Sequence, residues 1–243
     1  AHPGRQLSGS TNQEAGVICG GISPDGEYIY YLKDTQGNEV GHYVRVPFAG
    51  GDAEDITPDW EQYASFSLSA SLGGDLIGFT VADAEGFKLY TQRHNPDGTL
   101  HTPQLLYHSK RMSFGPMLSY DGDFAVIATT ERSEYTDFSL MVFHLAAEGG
   151  EQQALVFHEK ESSLTAVGFA PLPGDTRFLA TTNVSGFDRP LVWDVKTGDV
   201  TDIPLNGKDG DFAAWGWSPD GKKILLCQFL QAHYQLYTYD LER

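Results

Sequence analysis

Apolar residues in this chain fall into short runs separated by Gly, Pro, Asp, Asn and Ser, and no dozen residues place them at i, i+3, i+4 and i+7. The 27 Gly and 12 Pro are scattered from end to end, so helix content is expected to be close to nil. The C-terminal stretch shows the grammar. An apolar run at 212–217 stops at Ser218-Pro219-Asp220-Gly221, and a second apolar run returns over 223–229. After Gln231-Ala232-His233, residues 234–241 alternate apolar and polar, as in a half-exposed outer strand. A short run at 200–205, after the turn Lys196-Thr197-Gly198-Asp199, supplies a fourth strand ahead of these three.

The same order repeats upstream. The second unit is expected to hold strands at 54–57, 63–69, 76–81 and 88–93, and the third at 104–108, 113–118, 124–130 and 138–145. The fourth holds 153–158, 164–170, 177–183 and 191–195, and the first opens on a shortened Arg5-Gln6-Leu7-Ser8. The turn between the two central apolar strands is nearly a repeated word. Ser23-Pro24-Asp25-Gly26 recurs as Ser218-Pro219-Asp220-Gly221, Ser119-Tyr120-Asp121-Gly122 is a variant, and Leu72-Gly73-Gly74-Asp75 and Leu172-Pro173-Gly174-Asp175 are looser copies. In such a turn Pro presets φ at one corner and Gly tolerates a positive φ at the next. The turn glycines Gly26, Gly74, Gly122, Gly174 and Gly221 are spaced by 48, 48, 52 and 47 residues.

That period in a β-rich chain is the mark of stacked four-stranded sheets, so the expected fold is an all-β propeller with five antiparallel blades in this chain. The blades fall at about 1–48, 49–94, 95–146, 147–195 and 196–243, as one domain or as a portion of a larger propeller. In this phase the first strand of each unit, 54–57, 104–108, 153–158 and 200–205, lines the axis. Each blade is then contiguous in sequence. A closed ring would hold by face-to-face packing, with no N-terminal strand completing the last blade.

Composition narrows the partners. With 33 acidic and 16 basic residues the net charge is -17, which disfavours nucleic acid and anionic membrane surfaces, because both call for clustered Lys and Arg. No apolar run approaches the roughly 20 residues of a membrane span. Only Cys19 and Cys227 are present, both in apolar strand runs, and they are expected to be buried free thiols. Because they lie in the first and last units, a bridge is conceivable if the ring closes there. The chain begins Ala1-His2-Pro3 without an initiator Met, which leaves a removed leader open. The expected compartment is the cytoplasm, with periplasm and secretion left open.

The search for chemistry returns no catalytic, cofactor-binding or metal-binding residue. The strained elbow G-x-S-x-G of a serine hydrolase is absent; Gly21-Ile22-Ser23-Pro24-Asp25 and Gly216-Trp217-Ser218-Pro219-Asp220 approach it but end in Asp and lead into strands. His94, His101 and His108 recur every seven residues across a Pro/Gly loop, a spacing that fits neither a zinc pair nor one helix face. Asp34-Thr35-Gln36-Gly37-Asn38-Glu39 lacks the alternating oxygen ligands of a calcium loop. Trp193-Asp194 occurs once and without a Gly-His partner, and Asn183-Val184-Ser185 is a glycosylation sequon that matters only in a secretory pathway.

Residues 23–29, 119–126 and 218–225 resemble the TolB-like or WD40-like propeller repeat, in which S-P-D-G and a polar pair precede an apolar strand. The stretch from Lys33-Asp34-Thr35-Gln36-Gly37-Asn38-Glu39-Val40-Gly41-His42 through Val46-Pro47-Phe48-Ala49-Gly50-Gly51 to Asp55-Ile56-Thr57-Pro58 is similar to the N-terminal propeller of prolyl oligopeptidase family (S9) serine peptidases, of the acylaminoacyl-peptidase or dipeptidyl aminopeptidase type. That resemblance implies a propeller of seven or eight blades that carries no triad residue and admits small peptides to an α/β-hydrolase domain of the same polypeptide. Five units and no hydrolase are present here, so no catalytic residue carries over.

Three functions follow from these readings: the gating propeller of a peptidase, a TolB-like scaffold that binds a protein or peptide, and a propeller enzyme such as a lyase or glycosidase using carboxylates in its channel. The abundance of Asp and Glu does not favour the last, since most sit in turns where Asp is a structural choice. Binding usually lives on variable loops. The loops at 33–41, 58–62, 109–112, 131–137, 159–162 and 206–211 vary most, with Trp60, Arg111, Arg132 and Tyr135 as candidate contacts. The alternative is that these loops are merely solvated.

Overall fold

A computed structural model describes residues 17–34, 37–145, 154–205 and 209–242. Its regular elements are all strands. The first sheet has the order β1 (Val17–Ile22), β2 (Tyr28–Asp34), β3 (Gly41–Pro47) and β4 (Glu54–Asp55). The second runs β5 (Leu68–Ala70), β6 (Leu76–Asp83), β7 (Gly86–Arg93) and β8 (Gln104–Ser109). The third holds β9 (Ser113–Leu118), β10 (Phe124–Thr129), β11 (Ser139–His144) and β12 (Ala154–Phe157), and the fourth β13 (Leu164–Phe169), β14 (Arg177–Thr182), β15 (Arg189–Asp194) and β16 (Val200–Asp202). The fifth has three strands, β17 (Asp211–Trp217), β18 (Lys223–Leu230) and β19 (His233–Asp240). All pairings are antiparallel between strands consecutive in sequence.

The five repeats are five sheets, but their phase differs from the expected one by a strand. Residues 54–57, 104–108, 153–158 and 200–205, expected as the inner first strands of units two to five, instead supply β4, β8, β12 and β16, the last strands of the preceding sheets. Loop length matches the choice at the first of these strands but not at the second, since β8 follows β7 by ten residues and precedes β9 by three, yet pairs with β7. Only residues 48–53 separate β3 from β4, with Gly50 and Gly51 at positive φ, whereas the connection from β4 to β5 runs from 56 to 67. A short link favours a hairpin, and a longer one can cross to a new sheet. The S-P-D-G turn therefore joins the first strand to the second, and the fifth sheet lacks a fourth strand among the described residues. The expected opening strand Arg5-Gln6-Leu7-Ser8 lies outside them. The expected strand at 63–69 shortens to β5, preceded by isolated bridges from Tyr63 to Gly41 and from Ala64 to Ala82.

The chain forms two compact units. Of the described residues, one unit takes those up to Ala70 with Asp75–Lys110 and Phe114–Pro116, and the other Ser71–Gly74, Arg111–Ser113 and those from Met117 on. In the first unit, sheets one and two bury Tyr30, Leu32, Tyr43, Ile56, Tyr63, Ile77, Phe79 and Val81 between them. In the second, the third and fourth sheets enclose Val126, Leu140, Val142, Phe178, Leu191 and Trp193, and the fourth and fifth enclose Leu179, Val192, Ile203, Phe212, Ile224 and Leu226. Alternation sorts these side chains: Phe178 and Ala180 face one way from β14 while Leu179 faces the other. A fully buried side chain of this kind contributes about 1.5–3 kcal/mol. Ile56 and Ile203, which follow β4 and β16 directly, pack into the cores of the sheets those strands complete.

Candidate functional site

The serines of the repeated turn come first, since they stand where a nucleophile was sought. Ser23 Oγ donates to Asp25 Oδ1 at 2.5 Å and accepts from the Tyr28 N–H at 2.9 Å. Ser218 Oγ makes the same pair of bonds, to Asp220 Oδ1 at 2.5 Å and from the Lys223 N–H at 2.9 Å. Ser119 Oγ accepts from the Phe124 N–H at 3.0 Å. The glycines Gly26, Gly122 and Gly221 sit at φ 74°, 74° and 65° and donate to the carbonyls of Ser23, Ser119 and Ser218. The Ser23 hydroxyl bond, reinforced by the Glu27 N–H, holds the Asp25 carboxyl below its ordinary value. Asp121 Oδ2 accepts from the Gly174 N–H at 2.6 Å, tying two turns of the second unit together. Hydroxyl, carboxylate and glycine are all consumed in building the turn.

The four candidate contacts part company. Trp60 is half-buried and packs among Tyr63, Phe79 and Tyr90, its ring 4.6 Å from that of Tyr90. It therefore belongs largely to the core of the first unit. Arg111 and Tyr135 come together in the second: the Arg111 guanidinium donates to the carbonyls of Ser133 and Tyr135 at 2.9 and 2.5 Å, folding the 131–137 loop over it. The Tyr135 ring is left 76% exposed, and Arg132 is exposed on the same loop. This loop offers an aromatic ring and a cation to solvent. Within the second unit a cleft of about 480 Å³ also opens beside Trp215, lined by Ala166, Val167, Thr181, Asp188, Ala213 and Leu225.

The first unit holds a pair that the sequence reading missed. His42 on β3 places Nδ1 2.6 Å from Asp55 Oδ2 on β4, and its ring stacks on Tyr63 at 5.6 Å and 7°. The other oxygen of Asp55 accepts from the Thr57 N–H at 2.8 Å. Asp55 thus fixes the imidazole with Nδ1 as donor, the way a carboxylate orients a catalytic base. A small hollow of about 280 Å³ beside it is lined by Lys33, Asp34, Val44, Ala53 and Gln62 together with the pair. None of these is Ser, Thr or Cys, so the pair has no hydroxyl or thiol to activate there. Next to it Arg45, whose side chain is 4% exposed, donates through Nε to Glu54 at 2.6 Å and through Nη2 to the Gly98 carbonyl, and lies over the Tyr28 ring. Both pairs join β3 to β4, strands that the expected phase had assigned to different blades.

Further titratable groups are structural. Tyr63, pushed up to about 12 by burial, bonds Thr57 Oγ1 at 2.9 Å and accepts from the Tyr43 N–H at 3.0 Å. His94 sits 2.9 Å from the Tyr30 hydroxyl, and burial with the nearby Arg45 charge holds it below its ordinary value. Cys227 is a buried free thiol. Among the described residues no three His, Cys, Asp or Glu side chains converge as a metal site would require.

No family model matches this sequence, and no curated protein matches it. Solved structures do. Puromycin hydrolase aligns with a TM-score of 0.73 at 15% identity, over 97% of this chain and 38% of its own. Prolyl oligopeptidase B from Galerina marginata gives 0.67 at 13% identity, over 94% of this chain and 34% of its own. TolB from Acinetobacter baumannii gives 0.60 at 12% identity, over 94% and 52%. The fold is thus the β-propeller fold that these proteins share. The chain spans about half the length of that TolB and little more than a third of the two hydrolytic proteins.

Proposed function

We propose that this chain is the non-catalytic propeller of a serine peptidase of the prolyl oligopeptidase kind, gating small peptides toward a hydrolase domain outside residues 1–243. The likeness to puromycin hydrolase carries the reading, because it extends over nearly the whole of this chain while leaving more than half of the other protein unmatched. The local chemistry agrees with it. The turn serines are committed to their own loops, and the hollow beside the His42–Asp55 pair is lined by no Ser, Thr or Cys. The exposed loop carrying Arg132 and Tyr135 is then a surface for the partner domain or its substrate.

The match to TolB over 94% of the chain favours a second reading, a scaffold that binds a protein or peptide partner. The complete reading frame separates the two. A peptidase propeller is accompanied in the same polypeptide by G-x-S-x-G between a strand and a helix, with an acid and a His after it. A frame that contains propeller repeats and no such elements supports the scaffold and overturns the peptidase.

A further inference from the structure

We infer that the cleft beside Trp215 in the second unit binds an organic ammonium ion carried on an apolar arm, whether the chain serves a peptidase or a scaffold. The cleft holds about 480 Å³, within the roughly 300–1,000 Å³ of small-molecule sites. Strand β13 lends it Ala166 and Val167, and β17 lends it Ala213 and Trp215.

Both of these strands bulge at the cleft. The register of β13 against β14 skips Val167, and that of β17 against β18 skips Trp215. A bulged residue leaves the ladder, and its side chain is re-aimed. Here both bulged residues line the cleft, and Trp215 is 54% exposed although Phe212 and Ala214 on the same strand are buried. The walls are fixed to each other. Trp217 Nε1 donates to the Gly168 carbonyl at 3.0 Å, and the Ala214 N–H donates to Thr181 Oγ1 at 2.9 Å.

Asp188 supplies the charge. Its N–H donates to Asp211 Oδ1 at 3.0 Å and its carbonyl accepts from the Phe212 N–H at 2.9 Å, so its backbone is anchored beside β17 where it lines the cleft. Among the described residues its carboxylate enters no ion pair. The adjacent Arg189 is turned to other partners: Nη1 donates to the carbonyls of Asp188 and Gly210, and the guanidinium lies 5.2 Å from the centre of the Phe187 ring. Burial and the nearby Asp211 charge hold the Asp188 carboxyl above its ordinary value, as a carboxylate short of a cation would be.

An unpaired carboxylate, an exposed indole and aliphatic walls together specify the ligand. An ammonium group donates three N–H bonds and is attracted to the face of a Trp ring, and a hydrocarbon arm behind it lies against Ala166, Val167 and Ala213. A sugar would stack on Trp215 but meet aliphatic walls where its remaining hydroxyls need partners. The net charge of -17 draws a cation in and repels an anion.

Calorimetric titration of the full 243-residue chain tests this with phenethylamine and capped Ala-Lys-Ala, each beside its neutral counterpart, 2-phenylethanol and capped Ala-norleucine-Ala. At least one ammonium probe should bind about tenfold more tightly than its counterpart. Tighter binding of the peptide assigns the cleft to a side chain of a protein or peptide, and tighter binding of phenethylamine to a free amine; either supports the site. Asp188→Asn keeps the shape, removes the charge and should weaken the tighter ligand about tenfold. A carboxyl raised in the folded state is one whose charge the fold disfavours, so this variant should melt no lower than the parent at neutral pH. Should it fail to fold, Trp215→Ala decides, because losing an exposed ring should weaken binding about fivefold at an unchanged melting temperature. Equal binding of ammonium and neutral probes, no binding of either amine, or unaltered binding by either variant overturns the proposal.

Discussion

Trp60 and Tyr135 look alike in the sequence, each a large ring in a polar loop, and the structure gives them opposite roles. Trp60 sits against three other rings, whereas Tyr135 is exposed and anchored only through its backbone. Trp60→Ala should therefore cost about 2–4 kcal/mol in urea unfolding, and Tyr135→Ala less than about 0.5. Equal costs would mean that the packing of the first unit is misassigned. Loop polarity could not make the distinction, because what buries Trp60 is Phe79 and Tyr90 on another sheet.

Charge at the residue scale acts through turns. Burial pushes the Asp175 carboxyl up, but the Arg177 fork, with Nε at 2.9 Å and Nη2 at 2.5 Å, outweighs it and holds the group below its ordinary 3.8. A carboxylate depressed in the folded state stabilises the fold above its unfolded value, and that contribution disappears as pH falls through the folded one. Asp175→Asn should thus be less stable than the parent at neutral pH, with the gap shrinking below pH 3.8. A gap that persists unchanged into that acid range would show that the ion pair is not its origin.

At the scale of elements, strand number, order and direction were legible, because alternation and turn chemistry are local. The recurring turn glycines sit at positive φ in four of the five copies, Gly26, Gly122, Gly174 and Gly221. Strand phase was not legible. Grouping residues 54–57 with the strand before or the strand after leaves the pattern unchanged, and only the pairing of β3 with β4 decides it. Connection length is no general signal: six residues from β3 to β4 against a dozen from β4 to β5 favour the observed phase, but ten from β7 to β8 against three from β8 to β9 oppose it. A recurring bulge also went unread, at Ile18/Gly20, Ala166/Gly168 and Ala214/Gly216, each in the first strand of its sheet.

The phase error hid the site chemistry. His42 with Asp55 and Arg45 with Glu54 are cross-strand partners only if β3 and β4 share a sheet. Glu54→Ala would strand an Arg45 side chain that is 4% exposed, and we expect a loss of about 1–3 kcal/mol. Glu54→Gln, which keeps an acceptor, should lose less. If both variants unfold at the parental urea midpoint, this pair does not fasten β4.

On the scale of the whole molecule, the fold was legible and the function only in class. A period of 47 to 52 residues is written by turn chemistry that every blade needs, so it announces a propeller whatever that propeller does. What distinguishes a gate from a scaffold is the polypeptide around it, and a low-identity likeness in fold does not carry that. The measurement that bears on the central claim most directly is fluorophosphonate labelling of the natural polypeptide containing these repeats, run beside the isolated 243-residue chain. The account predicts a labelled serine outside residues 1–243 in the natural polypeptide and no label on the isolated chain. Label on a serine within 1–243, or none on the natural polypeptide, would contradict it.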